Sequence, residues 1–270
     1  MMGCRLFKSE MLQRCLLALV GVMLTPTPAR PQGRVDVAFE LLRATVTVNE
    51  PVFVRFSVDN GLQQGVLLDL GYNRTGNFDL VVVGPDGLAT PAPPVEAGGV
   101  HRAGKAYAPP GGSFNETLLI SERYQFTRAG TYRLKMRFSG PMGTDSGPVT
   151  VPPAQELTLG VSPRDPKRLE EVCETLLKSA SGTSNYEKLR EAAVALSYVT
   201  DAVAVRYLGD LLAKHNSVSE VAIEGLVRIG NPEALQTLTA NLNTPDPNLR
   251  MKIQFGIEEI KTGVHSRVMD

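Results

Sequence analysis

The chain has 270 residues, enough for one large domain or two modest ones. Its 28 Lys and Arg balance 28 Asp and Glu, which argues against a dedicated nucleic-acid binder, because those carry a basic excess. Hydrophobic residues at 43% and charged residues at 21% exclude a disordered chain, and 25 Gly with 19 Pro suit a turn-rich β region.

The first segment reads as an address. Arg14 precedes an apolar run, Cys15 to Leu24, and Thr27-Pro28-Ala29 follows with small residues where a signal peptidase reads. The run falls well short of the ~20 residues that cross a bilayer, so residues 1–29 are expected to be a secretory signal peptide, an uncleaved anchor being the alternative. Met11 suits initiation better than Met1, since Arg14 then lies close to the start. Cys15 opens the apolar run instead of closing it, so no lipobox is present. Cleavage after Ala29 would remove Cys4 and Cys15 and leave Cys173 with no disulfide partner. Cys173 lies among Leu169, Val172, Leu176 and Leu177, the setting of a buried small hydrophobe and not of a reactive thiol.

From residue 34 to 161 the apolar period is two. Val52, Val54, Phe56 and Val58 alternate with Phe53, Arg55 and Ser57, and Tyr132, Leu134, Met136 and Phe138 alternate with Arg133, Lys135 and Arg137. Such alternation predicts antiparallel strands with one buried and one wet face. Further strands are predicted at Val35–Leu41, Ala44–Val48, Val66–Leu70, Phe78–Val83, Phe114–Ile120 and Glu156–Val161. Asn49-Glu50-Pro51, Asp59-Asn60-Gly61, Gly84-Pro85-Asp86-Gly87 and Arg128-Ala129-Gly130 supply turns between them. Thr90 to Gly112 reads as a long loop with at most one edge strand. About eight short strands predict a β-sandwich of immunoglobulin type.

Residues 162–166 read as a linker, after which the period becomes 3.6 through residues 167–262, with a tail at 263–270. Ala192, Leu196, Val199, Ala204, Leu208 and Leu212 recur 30 positions later as Ala222, Leu226, Ile229, Ala234, Leu238 and Leu242. Val218, Leu226 and Ile229 recur 31 positions later as Leu249, Ile257 and Ile260. Asn231-Pro232 and Asp246-Pro247 each place a cap residue before a proline at the first helical position. A stack of helix pairs is expected, each unit burying its apolar face on its neighbours.

Leu189-Arg190-Glu191-Ala192-Ala193-Val194-Ala195-Leu196 and Ile229-Gly230-Asn231-Pro232-Glu233-Ala234-Leu235 resemble HEAT repeats of the short type, over Ser184 to Lys261. The third unit departs from the pattern: Ile253 and Phe255 replace the usual alanines and no second helix follows, which reads as a terminal cap. Asn49-Glu50-Pro51-Val52 and the run Tyr124 to Tyr132 resemble an immunoglobulin-like domain of bacterial envelope proteins. The fold expectation is therefore multidomain, an immunoglobulin-like antiparallel β-sandwich followed by a short HEAT-like α-solenoid. Both resemblances imply binding and not chemistry.

Motifs for chemistry are missing. His101, His215 and His265 form no metal or catalytic spacing, and neither GxSxG nor SxxK occurs; Ser121-Glu122-Arg123-Tyr124 lacks the lysine. Gly98-Gly99 and Gly111-Gly112 lie among prolines and strands, wrong for a phosphate loop. Asp59, Asp69, Asp79 and Asp86 fall in separate strands or turns, while Glu170-Glu171 and Glu258-Glu259 are helix-surface pairs. A glycosidase carboxylate pair distant in sequence stays open, although without tryptophan only Tyr72, Tyr107 and Tyr124 would stack on a sugar. Asn73-Arg74-Thr75 and Asn115-Glu116-Thr117 fit a glycosylation sequon and are expected to be unused. No catalytic residue, metal or cofactor is expected.

Three surfaces qualify for partner binding. Arg133, Lys135 and Arg137 line one strand face, about 6–7 Å apart, as a basic ribbon or an ordinary wet face. Tyr72, Asn73 and Arg74 sit on the tip Gly71–Gly76, a contact loop or a plain hairpin turn. Arg206, Asp210 and Gln236 mark the second helices of the repeat, which usually line the inner curve; Arg206 and Asp210 alternatively form an i, i+4 ion pair. The expected function is a non-catalytic exported adaptor binding protein partners in the bacterial envelope. The alternatives are a protease inhibitor presenting the Tyr72 loop, and a carbohydrate-binding module or hydrolase accessory protein.

Overall fold

The computed structural model describes residues 33–71, 74–93, 104–214 and 218–263. The expected signal peptide, Tyr72, Asn73 and all three histidines lie outside them. Among the described residues twelve strands come first: β1 (Val35–Leu41), β2 (Thr45–Thr47), β3 (Phe53–Asn60), β4 (Val66–Asp69), β5 (Phe78–Val83), β6 (Ala89–Pro91), β7 (Lys105–Ala108), β8 (Ser113–Leu119), β9 (Gly130–Phe138), β10 (Met142–Thr144), β11 (Gly147–Pro148) and β12 (Gln155–Ser162). Six helices follow: α1 (Pro166–Ser181), α2 (Tyr186–Ser197), α3 (Val205–Leu212), α4 (Ser219–Ile229), α5 (Pro232–Ala240) and α6 (Pro247–Thr262). The described residues fall within one compact unit, strands and helices together.

The strands form sheets ordered β1-β3-β8, β11-β10-β4-β7 and β2-β12-β9-β5-β6. Alternation does what the pattern predicts: Val54, Phe56 and Val58 are buried on β3, and Tyr132, Leu134, Met136 and Phe138 on β9. The first and last sheets face each other through phenylalanines. Phe56 of β3 meets Phe78 of β5 at 4.9 Å and Phe138 of β9 at 5.3 Å between ring centroids. Edge-on and tilted ring contacts of this kind add to the area they bury.

Two expectations need correction. The sheets are not wholly antiparallel, because β2 pairs parallel to β12, Val46 opposite Val161. Only Leu42–Ala44 separate β1 from β2, and β2 joins the other sheet instead of folding back on β1. The supposed loop from Thr90 to Gly112 contributes to two strands, the end of β6 and all of β7. A four-residue strand such as Lys105-Ala106-Tyr107-Ala108 has too few alternations to stand out; its partner β4, 36 positions upstream at Asp69↔Lys105, stabilises it.

Side-chain caps start four of the six helices. Asp165, Asn185, Asn231 and Asp246 each accept hydrogen bonds from first-turn N–H groups, and α1, α5 and α6 carry proline at their start. Helices α2, α4 and α6 pack in one row and α1, α3 and α5 in a second. Gly225 and Gly256, one repeat apart, sit where the first row closes. A Cβ on Gly225 would lie 2.9 Å from Ser197, and one on Gly256 2.9 Å from Val227. Ala192, Leu196, Ala222, Leu226, Ala234 and Leu238 are buried as the repeat requires.

The expected linker is a weld. It shrinks to Pro163–Asp165, and its groups are engaged. Thr47 Oγ1 donates to the Pro163 carbonyl (2.6 Å) and accepts from the Asp165 N–H (2.9 Å). Glu50, 3% exposed, receives the Thr47 N–H (2.9 Å), Arg43 (3.1 Å) and Arg168 of α1 (2.7 Å). Arg164 forks onto Asp201 at 2.6 and 2.9 Å, and Asp201 also accepts the Val203 N–H (3.0 Å). Thr200 donates to Asn49 Oδ1 across the seam (3.2 Å). Buried carboxylates matched this way to guanidinium and N–H donors fix orientation.

Candidate functional site

An open groove of about 470 Å³ crosses the second helical row. Pro166, Lys167 and Glu170 of α1 form one wall, Ala202, Val203, Val205 and Arg206 the floor, and Glu233 and Thr237 of α5 the other wall. Beside it α3 and α5 pack closely, since a Cβ on Gly209 of α3 would lie 3.1 Å from Thr237 Cγ2. The floor is largely apolar and the rim carries both signs.

Charges at this rim divide into used and unused. Arg206 pairs with Glu170, donates to the Tyr207 hydroxyl (2.6 Å) and lies 4.6 Å from the Tyr207 ring centroid. The Tyr207 hydroxyl donates in turn to Glu174 (3.4 Å), and burial first of all raises its pKa. Among the described residues, the Lys167 ammonium and the Glu233 carboxylate carry no hydrogen bond or ion pair. They face solvent from opposite walls.

Of the predicted site residues among those described, only Arg206 lines this groove. It pairs across to α1 and not with Asp210, which is exposed on α3 and has no partner among the described residues. Gln236 is exposed but the groove side of α5 is Glu233 and Thr237. Arg74 is turned inward: its guanidinium forks onto Glu116 of β8 at 2.6 and 2.9 Å and lies 5.7 Å from the Phe114 ring. It ties the tip to the sheet instead of presenting a cation. The basic ribbon is neutralised by its neighbours. Arg137 bonds Asp79 of β5 (2.8 Å from Nε), and Arg133 and Lys135 straddle Glu156 of β12 at 3.7 and 3.8 Å. Tyr124 packs on Phe126 and Tyr132 at 5.1 and 6.3 Å, while Tyr107 lies exposed opposite Leu67.

A second cluster escaped the sequence pattern. Glu122, in the 3-10 turn Ile120–Glu122, faces Arg190 of α2 and Arg228 of α4. Burial pushes its carboxyl up to about 7 against the pull of those two cations. Arg228 stacks 4.0 Å from the Tyr198 ring centroid and donates to the Ser197 carbonyl (2.6 Å). No local pattern marks Glu122, because its surroundings come from residues about 70 to 100 positions later.

Cys173 is fully buried and burial pushes its thiol up to about 12, so the reactive thiolate is suppressed. Among the described residues no group of three or more His, Cys, Asp or Glu is placed to hold a metal ion, and no helix is long and apolar enough to cross a membrane.

Residues 173–257 match the family model for HEAT repeats. The chain thus has a β-rich N-terminal region followed by helical HEAT-like repeats. No curated protein matches it. Among solved structures, the structural-genomics target SoR45 is 14% identical, with 47% of this chain and 85% of that one covered and a TM-score of 0.27. AggA, the major subunit of aggregative adherence fimbriae type I from Escherichia coli, is 14% identical, with 49% and 99% covered and a TM-score of 0.29. A β-glucosidase from Listeria innocua is 8% identical, with 47% of this chain but 16% of the enzyme covered and a TM-score of 0.27. At these scores the likenesses carry no argument about activity.

Proposed function

We propose that this chain is an exported, non-catalytic adaptor of the bacterial envelope whose HEAT-like repeats hold a segment of a protein partner. The observation that carries the reading is the groove over Val203 and Val205, with Lys167 and Glu233 left unpaired on its two walls. An apolar floor with charges of both signs at the rim suits a peptide of mixed charge better than a nucleic acid or a sugar. The welded seam supports the same reading, because it presents the groove from a fixed frame.

The β region is read as immunoglobulin-like on one further contact. The Tyr132 hydroxyl donates to the Arg128 carbonyl four residues upstream (2.9 Å), as the tyrosine corner of such sandwiches does. Export rests on Arg14, the apolar run and Ala29.

The test is site-specific crosslinking. A photoreactive residue at Val203 in the full chain, expressed in its native envelope, should capture a discrete protein. Val203→Glu should abolish that capture with unchanged helical circular dichroism. Equal capture by a probe at Arg133, on the sheet, would refute the groove.

A further inference from the structure

The two unpaired charges of the groove are too far apart to meet. Lys167 and Glu233 hold the same place in their helices, each directly after the proline that starts α1 or α5. Helix α3 lies between those two in the second row. Neighbouring helices pack about 8–10 Å apart, so the two walls stand roughly 16–20 Å apart, more than a lysine and a glutamate can span together. Between them Val203 and Val205 form the floor, and Arg206 is already taken by Glu170. Among the described residues the groove thus offers a free cation on one wall, a free anion on the other and apolar surface between.

Lys167 also works against its own helix. It sits in the first turn of α1, which holds no acidic residue, where the positive end of the helix disfavours a cation. Arg168 beside it is compensated by Glu50, and Lys167 is not. Its charge does nothing for the fold and is left for a ligand. The groove's volume sets the form of that ligand. About 470 Å³ spread over roughly 16–20 Å leaves a cross-section of roughly 25–30 Å². A row of side chains fits it, whereas a helix about 10–12 Å across does not. An extended chain advances about 3.3 Å per residue, so residues about five or six positions apart reach from wall to wall.

We infer that the groove takes an extended segment of a protein partner, with an acidic side chain over Lys167, a basic one over Glu233 about five or six positions away, and apolar side chains on Val203 and Val205. The inference rests on the reading of this groove as a partner site and adds the partner's conformation and charge order. Opposite charges at two fixed ends set the register of the bound segment and exclude one with the order reversed, because like charges would then face each other.

Selection from a library of random decapeptides on the purified full chain tests this. Enriched sequences should carry an acidic and a basic residue at that spacing, with apolar residues between them. Lys167→Glu should weaken the wild-type consensus about tenfold and select a basic residue in place of the acidic one. Glu233→Lys should select an acidic residue in place of the basic one, and both variants should keep the helical circular dichroism unchanged. A consensus without the two charges, one patterned for a helix, a charge order unmoved by either substitution, or no enrichment at all would overturn the inference. Capture by the photoreactive residue at Val203 reports separately on the site itself. Capture without the charge order removes that order alone, whereas no capture removes the partner site beneath it.

Discussion

The outer face of β9 and the groove of the helical rows offer similar residues with opposite fates. Arg133, Lys135 and Arg137 look in sequence like a free basic ribbon. In the fold, strands on either side bring Glu156 and Asp79 level with them, through the register Lys135↔Glu156 and Arg137↔Asp79. On the helices, Lys167 and Glu233 look like routine surface charges, and they are the ones left without partners beside an apolar floor. On this face the sheet register delivers a counter-charge to each of the three cations. Helix rows place charges at a rim where the facing wall is a groove-width away, so the ligand supplies the missing partner.

Seam substitutions attack that comparison most strongly, because the groove is held only as firmly as the helices are. Glu50→Ala would strand the Thr47 N–H and take from Arg168 and the largely exposed Arg43 the buried carboxylate they share. We expect a loss of about 3 kcal/mol in urea unfolding, with the β and helical signals moving together. Separate transitions, with the β signal unmoved, would show that the seam does not couple the two parts.

Asp201→Asn should come next. Hydrogen bonds from Arg164, ahead of all other causes, hold the Asp201 carboxyl below the usual aspartate range. Its contribution is therefore present above the unfolded aspartate pKa and is lost as pH falls through the lower folded value. At pH 7 the variant should lose about 1–3 kcal/mol, and the gap to wild type should narrow steadily as the solution is acidified below pH 4. A gap independent of pH would mean that the ion pair is incidental to the cap on Val203.

Glu122 runs the opposite way. Its folded pKa of about 7 lies above the ordinary glutamate value, so the folded protein retains a proton that the unfolded chain has released. Stability attributable to this carboxyl falls as pH climbs from the unfolded value to about 7, and the penalty is complete above that. Glu122→Gln should match wild type near pH 4 and melt at least ~2 °C higher at pH 8. Equal melting curves at pH 8 would mean that water reaches this half-buried carboxyl freely.

Legibility follows the range of the forces involved. Strand alternation, proline-led helix starts and the 30-residue recurrence are written in neighbouring side chains, and each reappears at its expected residues. Arg74, by contrast, finds Glu116 across 42 positions, and Glu122 finds Arg228 across more than a hundred. Neither environment exists until the sheets and helices are in place. The parallel pairing of β2 has the same origin, since nothing in Thr45-Val46-Thr47 says which sheet it joins. Arg206 falls beside the groove because the repeat marks the second helix of each unit, whereas the side of α5 that meets it, Glu233 and not Gln236, depends on how the two helices are rotated against each other.

The smallest effect is expected on the sheet. Arg137→Gln removes both bonds to Asp79, and both side chains are about half exposed. Such pairs stabilise by about 0–1 kcal/mol because water screens the attraction and two side chains must be held still. The substitution should therefore move the urea midpoint by no more than that range allows, and less in 0.5 M salt. Lys167→Gln in the groove should be equally silent in unfolding, since that ammonium has no partner to lose, yet it should weaken capture of the partner. If instead Arg137→Gln weakened capture and Lys167→Gln did not, the paired sheet face would be the binding surface and the unpaired groove a bystander.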